Sequence, residues 1–251
     1  MNLNGGFPII YSDNPWAYDN PQNFDPARGG TPYKQLSIDD LCDMGPLVQS
    51  VAAKDCACFM WATLPKLPEA LRCMDAWGFN FTAVPFVWLK LNPTGSVWQP
   101  KEKCSVLDEV GELVTTLDPK DIILDGGIVS GLGHWTAGNV EFVLFGKKGK
   151  PKRVSKSIKQ VVFAPVIEMP WCEVPLSGPQ GPEMPTEIVV APRLRPHSAK
   201  PPVVADRIKE LMGDIPGVEL FARPPKRKGW LKLGFEMNGL DIQESLTRLT
   251  K

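Results

Sequence analysis

Short apolar segments alternate with helical segments along this 251-residue chain, and this alternation constrains the fold most. Apolar runs typical of buried strands occur at residues 7–12, 57–62, 81–91, 140–145, 160–164, 218–221 and 230–235. Helical patterns lie between them: Ser37 caps one that continues to Val51, and others are expected at Pro68–Trp77 and Pro202–Met212. Strands that alternate with helices predict an α/β fold, with a mostly parallel sheet and helices on both faces.

The composition is that of an ordinary globular protein, because 43% of the residues are hydrophobic and 22% are charged. The length suits one domain with its own core, so we predict a single domain over residues 1–251. Two stretches are expected to be insertions into it. One is acidic, at about 102–128, and the other, 165–192, holds seven prolines and no basic residue.

Several classes of protein are not expected from these features. No apolar run approaches the ~20 residues of a membrane helix, and no basic residue precedes Arg28, so we expect a cytoplasmic protein that lacks a signal peptide and does not bind a membrane. The six cysteines form no Cys-x-x-Cys pair, and the chain has two histidines, so we expect no metal site. The 28 basic and 28 acidic residues balance, so net charge does not indicate a partner.

A carboxylate, a proline turn and a large aromatic residue follow the first predicted strand as Asp13-Asn14-Pro15-Trp16. Taken alone, this motif is more typical of an ordinary turn with a core tryptophan. The same residues also suit chemistry on adenine, whose exocyclic amine is a weak nucleophile. Asp13 and the main-chain carbonyl of Asn14, held by Pro15, would accept hydrogen bonds from the two amine hydrogens. Trp16 would stack on a flipped-out base, which is worth about 1–3 kcal/mol.

A second candidate site, Glu219–Arg223, also falls at the end of a predicted strand, near the other end of the sequence. Parallel sheets bind ligands at the carboxyl ends of their strands. If Asp13–Trp16 and Glu219–Arg223 line one crevice, the chain is a permuted doubly wound domain.

Further segments follow Asp13–Trp16 in a fixed order along the chain. They are Phe59–Thr63, Leu67–Leu71, Trp77–Phe79, Gly133–Thr136, Glu141, Gly146–Gly149, His197–Pro201, Glu219–Arg223, Gly229-Trp230 and Gly234–Glu236. With these segments, the chain resembles the N6-adenine methyltransferase family that contains the catalytic subunit of the eukaryotic mRNA adenosine methyltransferase. It is most similar to the compact bacterial and phage branch of that family. The resemblance covers most of the chain outside the two predicted insertions.

The resemblance implies an S-adenosylmethionine-dependent enzyme with a Rossmann-like fold. That fold is circularly permuted, with the catalytic motif N-terminal and the cofactor motif C-terminal. The implied catalytic residues are Asp13, Asn14, Pro15 and Trp16. The implied donor pocket comprises Asp13, His197, Lys200, Glu219, Phe221, Arg223, Phe235 and Glu236. Lys200, just before a predicted helix, would pair with the donor carboxylate.

The chain departs from the family pattern at two of these positions. Asn14 stands where the family has the first proline of its catalytic motif, so we expect a less rigid turn there. Phe235 stands where the family has an asparagine, which removes a hydrogen bond to the donor ribose. Both changes are expected to weaken the site without removing Asp13, Trp16 or Lys200.

On the substrate side, the resemblance points to the aromatic residues and histidine nearest the target nucleotide, which are Trp16, Tyr18, His134 and Trp135. Residues 147–159 contain seven basic residues and no acidic one, which is typical either of phosphate contacts or of a solvated hairpin. The candidate phosphate contacts in this run are Lys147, Lys148, Lys150, Lys152 and Arg153.

The sequence therefore favours methyl transfer to the N6 amine of adenine in DNA. Three alternatives stay open: the same reaction on RNA, a catalytically inactive nucleic-acid-binding protein on the same fold, and methylation of a free nucleotide or small molecule. The target sequence and the oligomeric state, monomer or homodimer, do not follow from the sequence.

Overall fold

The computed structural model describes residues 5–18, 35–92, 96–98, 100–107, 113–125, 127–129, 138–167, 193–194, 200–223 and 228–250. The chain divides into two compact units, the first formed by residues 1–87, 140–160 and 204–251, and the second by residues 88–139 and 161–203. Both predicted insertions fall within the limits of the second unit. That the whole chain forms one domain stays a prediction.

The described strands and helices alternate near the two ends of the chain, whereas the described elements between residues 80 and 194 are all strands. The strands are β1 (Phe7–Ser12), β2 (Ala52–Ala62), β3 (Asn80–Leu91), β4 (Ser96–Trp98), β5 (Cys104–Leu107), β6 (Leu113–Leu117), β7 (Ile123–Asp125), β8 (Val140–Lys148), β9 (Val161–Ile167), β10 (Arg193–Leu194), β11 (Gly217–Leu220) and β12 (Trp230–Leu233). The helices are α1 (Ile38–Asp43), α2 (Gly45–Val51), α3 (Leu67–Ala76), α4 (Pro202–Met212), α5 (Phe235–Asn238) and α6 (Ile242–Leu249), with a 3-10 turn at Leu64–Lys66.

The first unit is built on a mixed sheet whose strand order is β3-β8-β2-β1-β11-β12. β1 pairs in parallel with both β2 and β11, and β11 pairs in parallel with β12. β8 runs antiparallel to β2. The predicted α/β fold with a mostly parallel sheet is confirmed for this unit.

Local sequence signals explain where the helices begin. The capping box at the start of α1 is present, since the Asp40 amide donates to Ser37 Oγ at 3.1 Å and the Ser37 amide donates to Asp40 Oδ2 at 3.2 Å. The helix predicted to continue to Val51 instead divides at Met44, and Pro46 lies in the first turn of α2. Proline is tolerated there but not in a helix interior, which explains the break.

Both faces of this sheet are buried. One face carries a hydrophobic cluster that joins the sheet to α1, α2, α3 and α6, with Ile10, Cys58, Met60, Val48, Cys73, Trp77 and Leu246 among its members. The opposite face carries Tyr11, Phe59, Trp61 and Trp230, which are buried as well. Burial on both sides explains why the second half of β2 is an unbroken apolar run.

The described part of the second unit contains three strand pairs. β9 and β10 pair in parallel, whereas β4 pairs with β7 and β5 pairs with β6 in antiparallel ladders. The predicted insertion at 102–128 therefore contains strands, and most of 165–192 lies outside the described residues. Among the described residues of the whole chain, no helix is long and apolar enough to cross a membrane. In the same residues, no group of three or more His, Cys, Asp or Glu side chains could hold a metal ion.

Candidate functional site

Four parallel strands of the first unit end side by side at one edge of the sheet. Ser12 at the end of β1 is in register with Met60 of β2 and with Leu220 of β11, and Leu220 is in register with Leu233 of β12. The residues that follow these strands, Thr63, Asp13, Phe221 and Gly234, define what we call the carboxyl edge. The two candidate segments from opposite ends of the sequence are thus neighbours in the first unit.

Asp13 leaves the sheet between β2 and β11. Its main-chain N–H donates a 3.5 Å hydrogen bond to the carbonyl oxygen of Leu220, the last residue of β11. Its side chain is half-buried. This hydrogen bond therefore fixes the backbone of Asp13 against β11, and the Asp13 side chain lies at the carboxyl edge.

The side chain of Asn14 turns back into the core and is only 3% exposed. Its Oδ1 accepts a hydrogen bond from the hydroxyl of Ser12. Its Nδ2 approaches two sulfur atoms, Sδ of Met60 at 3.7 Å and Sγ of Cys73 at 3.6 Å. Asparagine in place of proline predicts a less rigid turn here, but the buried amide has partners that fix it.

The turn after Asp13 closes across Pro15. The Trp16 amide donates to the carbonyl oxygen of Asn14 at 2.9 Å, and the Leu36 amide donates to the carbonyl oxygen of Pro15 at 2.9 Å. The Asn14 carbonyl, expected to accept a hydrogen bond from a substrate amine, thus already accepts one. A carbonyl oxygen has two lone pairs, so a second donor could still bind to it.

Trp16 packs inside the core and is 7% exposed. Its indole Nε1 donates to the carbonyl oxygen of Trp61 at 3.2 Å, which ties the motif to the end of β2. A base could therefore reach only a small part of this ring. In this structure Trp16 positions the turn, and its role in base stacking stays a prediction.

Tyr18 joins the motif to the turn after β2. Its hydroxyl and Thr63 Oγ1 are 2.8 Å apart, and Lys66 Nζ lies 5.4 Å from the centre of its ring. Lys66 also forms a 2.9 Å ion pair with Glu69. Burial on its own raises the pKa of Glu69, but the hydrogen bond from Lys66, a hydrogen bond from the Glu69 amide and the charge of Lys66 together lower that pKa. Sequence reasoning selected Tyr18 but missed Thr63 and Lys66, which could have been found as the residues following a buried strand.

The backbone after β11 is strained. Phe221 adopts a φ of 55°, and it is the one residue other than glycine with a positive φ in the described part of the chain. Such a conformation costs about 1–3 kcal/mol and is typical of functional sites. Gly234 follows β12 with a φ of 154°, and a Cβ atom there would lie 2.9 Å from the Ala222 nitrogen. The ends of β11 and β12 therefore approach more closely than a side chain at position 234 would allow.

A buried ion pair lies beneath the turn after β11. Lys232 Nζ is 3.4 Å from the carboxylate of Glu219, and the two side chains are 7% and 13% exposed. Lys232 also donates a hydrogen bond to the carbonyl oxygen of Arg223. The pair thus supports the backbone at Arg223. Sequence reasoning missed Lys232, because only the register of β11 with β12 places it beside Glu219.

Phe235 is the most exposed of the predicted donor-site residues whose side chains the structure describes, with 75% of its surface accessible. It begins α5 immediately after Gly234. An exposed aromatic ring at the end of a parallel strand offers an apolar surface to a ligand. Glu236 follows it in α5, and its side chain lies outside the described residues.

Several predicted residues lie outside the first unit or outside the described residues. Lys200 is half-buried, lies two residues before α4 and falls within the second unit. His134, Trp135 and His197 lie outside the described residues. Their roles stay predictions.

The basic run lies at the opposite edge of the sheet. β8 is antiparallel to β2, so Phe142 is in register with Ala62 near the carboxyl edge, whereas Lys148 is in register with Cys56 near the other edge. Lys148 lies six positions after Phe142 in β8, which corresponds to about 20 Å at roughly 3.3 Å per residue. The structure therefore does not bring Lys147, Lys148, Lys150, Lys152 and Arg153 together with Asp13.

The comparison with known proteins bears on this site. No family model matches the chain. The chain is 24% identical to the Type II methyltransferase M.MunI of Mycoplasma sp over 247 aligned residues, which cover 92% of this chain and 78% of that protein. The chain with the carboxyl edge described above is thus similar, over most of its length, to a protein named as a methyltransferase.

Proposed function

We propose that the protein transfers a methyl group from S-adenosylmethionine to the N6 amine of adenine in DNA. The observation that carries this proposal is the carboxyl edge, where Asp13–Trp16 lies beside Phe221–Arg223. The similarity to a Type II methyltransferase supports methyl transfer, and it favours DNA over RNA as the substrate.

We propose further that the fold is a circularly permuted member of the N6-adenine methyltransferase family. In support, β1 from the start of the chain lies between β2 and the late strand β11. Two of the segments that the resemblance assigns to the donor lie at the ends of β11 and β12, near the end of the chain, and the segment with Lys200 precedes them. The catalytic half thus precedes the donor-binding half in sequence.

The residues at the carboxyl edge fit a bound donor. The strained turn at Phe221 presents main-chain groups at the end of β11, Gly234 lets the ends of β11 and β12 approach closely, and Phe235 offers an exposed ring. In the proposal, Asp13 contacts the donor amine and Arg223 borders its ribose, and the resemblance assigns the donor carboxylate to Lys200. The bound donor supplies an electrophilic methyl group.

Asp13 and Asn14 prepare the acceptor amine. The Asp13 carboxylate and the second lone pair of the Asn14 carbonyl oxygen accept one amine hydrogen each, which localises the nitrogen lone pair for attack. Both groups are held before the substrate arrives, so they stabilise the developing charge without reorganising. The proton leaves to water after transfer. The buried Asn14 side chain and the Trp16 indole keep the carbonyl in place.

The test is transfer of labelled methyl from S-adenosylmethionine to unmethylated DNA and to RNA in parallel. The wild type should label DNA as N6-methyladenine. The control variant Asp75→Ala, which removes an exposed carboxylate within α3, should do the same. Asp13→Ala should give no label while its melting temperature stays near that of the wild type. Label at cytosine, or label in RNA alone, would overturn the adenine or the DNA assignment, respectively. Full activity of Asp13→Ala would overturn the mechanism.

A further inference from the structure

Residues 147–159, which we call the basic segment, begin at the end of β8, on the edge of the sheet opposite to the carboxyl edge. The segment holds seven basic residues and no acidic one. Most of these side chains are exposed: Lys147, Lys150, Lys152, Arg153, Lys156 and Lys159. This density of cations is typical of a surface that binds a polyanion.

The backbone of the basic segment is held in place along its length. The Lys150 amide donates to the Asp55 carboxylate at 2.7 Å, and the Val154 amide donates to the carbonyl oxygen of Leu211 at 2.8 Å. The buried side chain of Arg207 donates to the carbonyl oxygen of Lys159 at 2.6 Å. The cations therefore project from a fixed main chain, so little ordering entropy opposes binding to a rigid partner.

Nearby acidic groups do not neutralise the segment. Asp55 accepts from a main-chain amide of the segment rather than from one of its cationic side chains. Asp214, next to the end of α4, lies 3.6 Å from Lys209. Within the described part of the chain, Lys150, Lys152 and Arg153 form no ion pair, so their charges face outwards.

We infer that the basic segment binds the phosphate backbone of one arm of the DNA substrate, away from the target adenine. This inference rests on the proposed function, because that function supplies the DNA. The separation of about 20 Å along β8 corresponds to roughly six base pairs at about 3.4 Å each. The duplex then runs along the strand direction, with the target base at the carboxyl edge and the arm over the basic segment. Contacts to phosphates alone carry no sequence information.

The first experiment measures DNA affinity against salt with a random-sequence duplex. The triple variant Lys150→Gln, Lys152→Gln and Arg153→Gln removes three charges from the basic segment. The triple variant Arg72→Gln, Lys120→Gln and Arg248→Gln removes three exposed charges elsewhere. The first variant should lower the slope of log affinity against log salt by about 2–3, because each phosphate contact contributes about 0.9. The second variant should leave that slope unchanged, and an equal change in both would overturn the inference.

The second experiment separates the arm contact from a role at the target base. The rate is measured as the amount of methylated DNA formed. The triple variant of the basic segment should raise the KM for DNA at least tenfold and leave kcat and the donor Kd unchanged. A fall in kcat without a change in KM would place the segment at the target base and overturn the inference. Trimming the wild-type substrate to about four base pairs on each side of the target, short of the segment, should reproduce the raised KM.

Failure of the two proposals is distinguishable. If the protein transfers no methyl group but the slope falls as expected, the basic segment binds DNA and the proposed reaction is wrong. If methyl transfer proceeds and neither the slope nor the KM changes, the segment is a solvated surface. A slope change seen with single-stranded RNA but not with duplex DNA would assign the segment to another partner and overturn the inference.

Discussion

The main-chain nitrogen of Asp13 donates a hydrogen bond to the carbonyl oxygen of Leu220 at 3.5 Å. This contact links the motif after the first strand to the strand that precedes Phe221–Arg223. The position of the Asp13 carboxylate therefore depends on the backbone conformation at the end of β11. Substitutions near the ends of β11 and β12 should for this reason alter the site as well as the stability.

Gly234→Ala should destabilise the protein by several kcal/mol and weaken donor binding. The new Cβ atom would lie 2.9 Å from the Ala222 nitrogen and 3.0 Å from its carbonyl oxygen, and both are main-chain atoms that cannot move aside cheaply. Gly239→Ala is the matched control, because its φ of 71° is also positive but no atom lies within 4 Å of the added Cβ. It should cost only about 1 kcal/mol. Thermal melts and calorimetry with S-adenosylmethionine measure both effects, and equal destabilisation by the two variants would contradict the close approach.

Phe235→Asn should tighten donor binding about two- to tenfold. The resemblance places an asparagine at this position, and a hydrogen bond to the donor ribose is worth about 0.5–1.5 kcal/mol. Phe235→Ala is the control, since it removes the exposed ring without adding an amide. Its donor affinity should be equal to or below that of the wild type. If calorimetry finds the same donor affinity for Phe235→Asn and Phe235→Ala, the side chain at this position does not bind the donor ribose.

The strands that build the carboxyl edge were predictable because both faces of the sheet are buried. β1 matches its predicted range, and β11 differs only by a residue at its ends. The predicted strand at 230–235 is shorter, because Gly234 turns the chain and α5 begins at Phe235. Apolar runs reveal buried strands well, but they do not show where a glycine ends one.

The register between strands was not predictable, and it decides what the charged residues do. Lys147 and Lys148 look like loop residues in the sequence, yet they extend β8 and pair with Ala57 and Cys56. The sequence alone could not show that this antiparallel strand carries its basic end away from Asp13. The pairing of Glu219 with Lys232 depends in the same way on the register of β11 and β12.

Glu69→Gln should lower stability at neutral pH but not at low pH. Burial raises the pKa of Glu69, but the hydrogen bond and charge of Lys66, together with a hydrogen bond from the Glu69 amide, lower it overall in the folded protein. Such a group stabilises the fold above its unfolded pKa, and this contribution is lost as the pH falls through the folded pKa. The ion pair is partly exposed, so the difference at pH 7 should be only about 0.5 kcal/mol. Denaturant unfolding at pH 7 and pH 3 measures it, and a difference that persists at pH 3 would exclude the charge as its cause.

Cys56, Cys58 and Cys73 should resist alkylation in the native protein. Burial raises the pKa of Cys56 to about 12, and it raises those of Cys58 and Cys73 as well, so the reactive thiolate is scarce at pH 8. Cys42 is only half-buried and should react first among these four. Mass spectrometry after iodoacetamide treatment, with and without denaturant, measures the order. Rapid native labelling of Cys73 would show that the contact between Asn14 and α3 opens readily.

The hydrogen bond from Ser12 to Asn14 should be needed for turnover more than for substrate binding. Ser12→Ala leaves the buried side-chain oxygen of Asn14 without its hydrogen-bond donor, which costs about 1–3 kcal/mol of stability. The main-chain carbonyl of Asn14 is then held less firmly at the carboxyl edge. We expect kcat to fall at least tenfold with little change in the donor Kd, whereas Ser50→Ala, an exposed serine on α2, should change neither. In an Asn14→Pro background the same Ser12→Ala change should be nearly neutral, because its partner is gone. A double-mutant cycle on stability and kcat measures this coupling. Additive effects of the two substitutions would show that Ser12 does not act through Asn14.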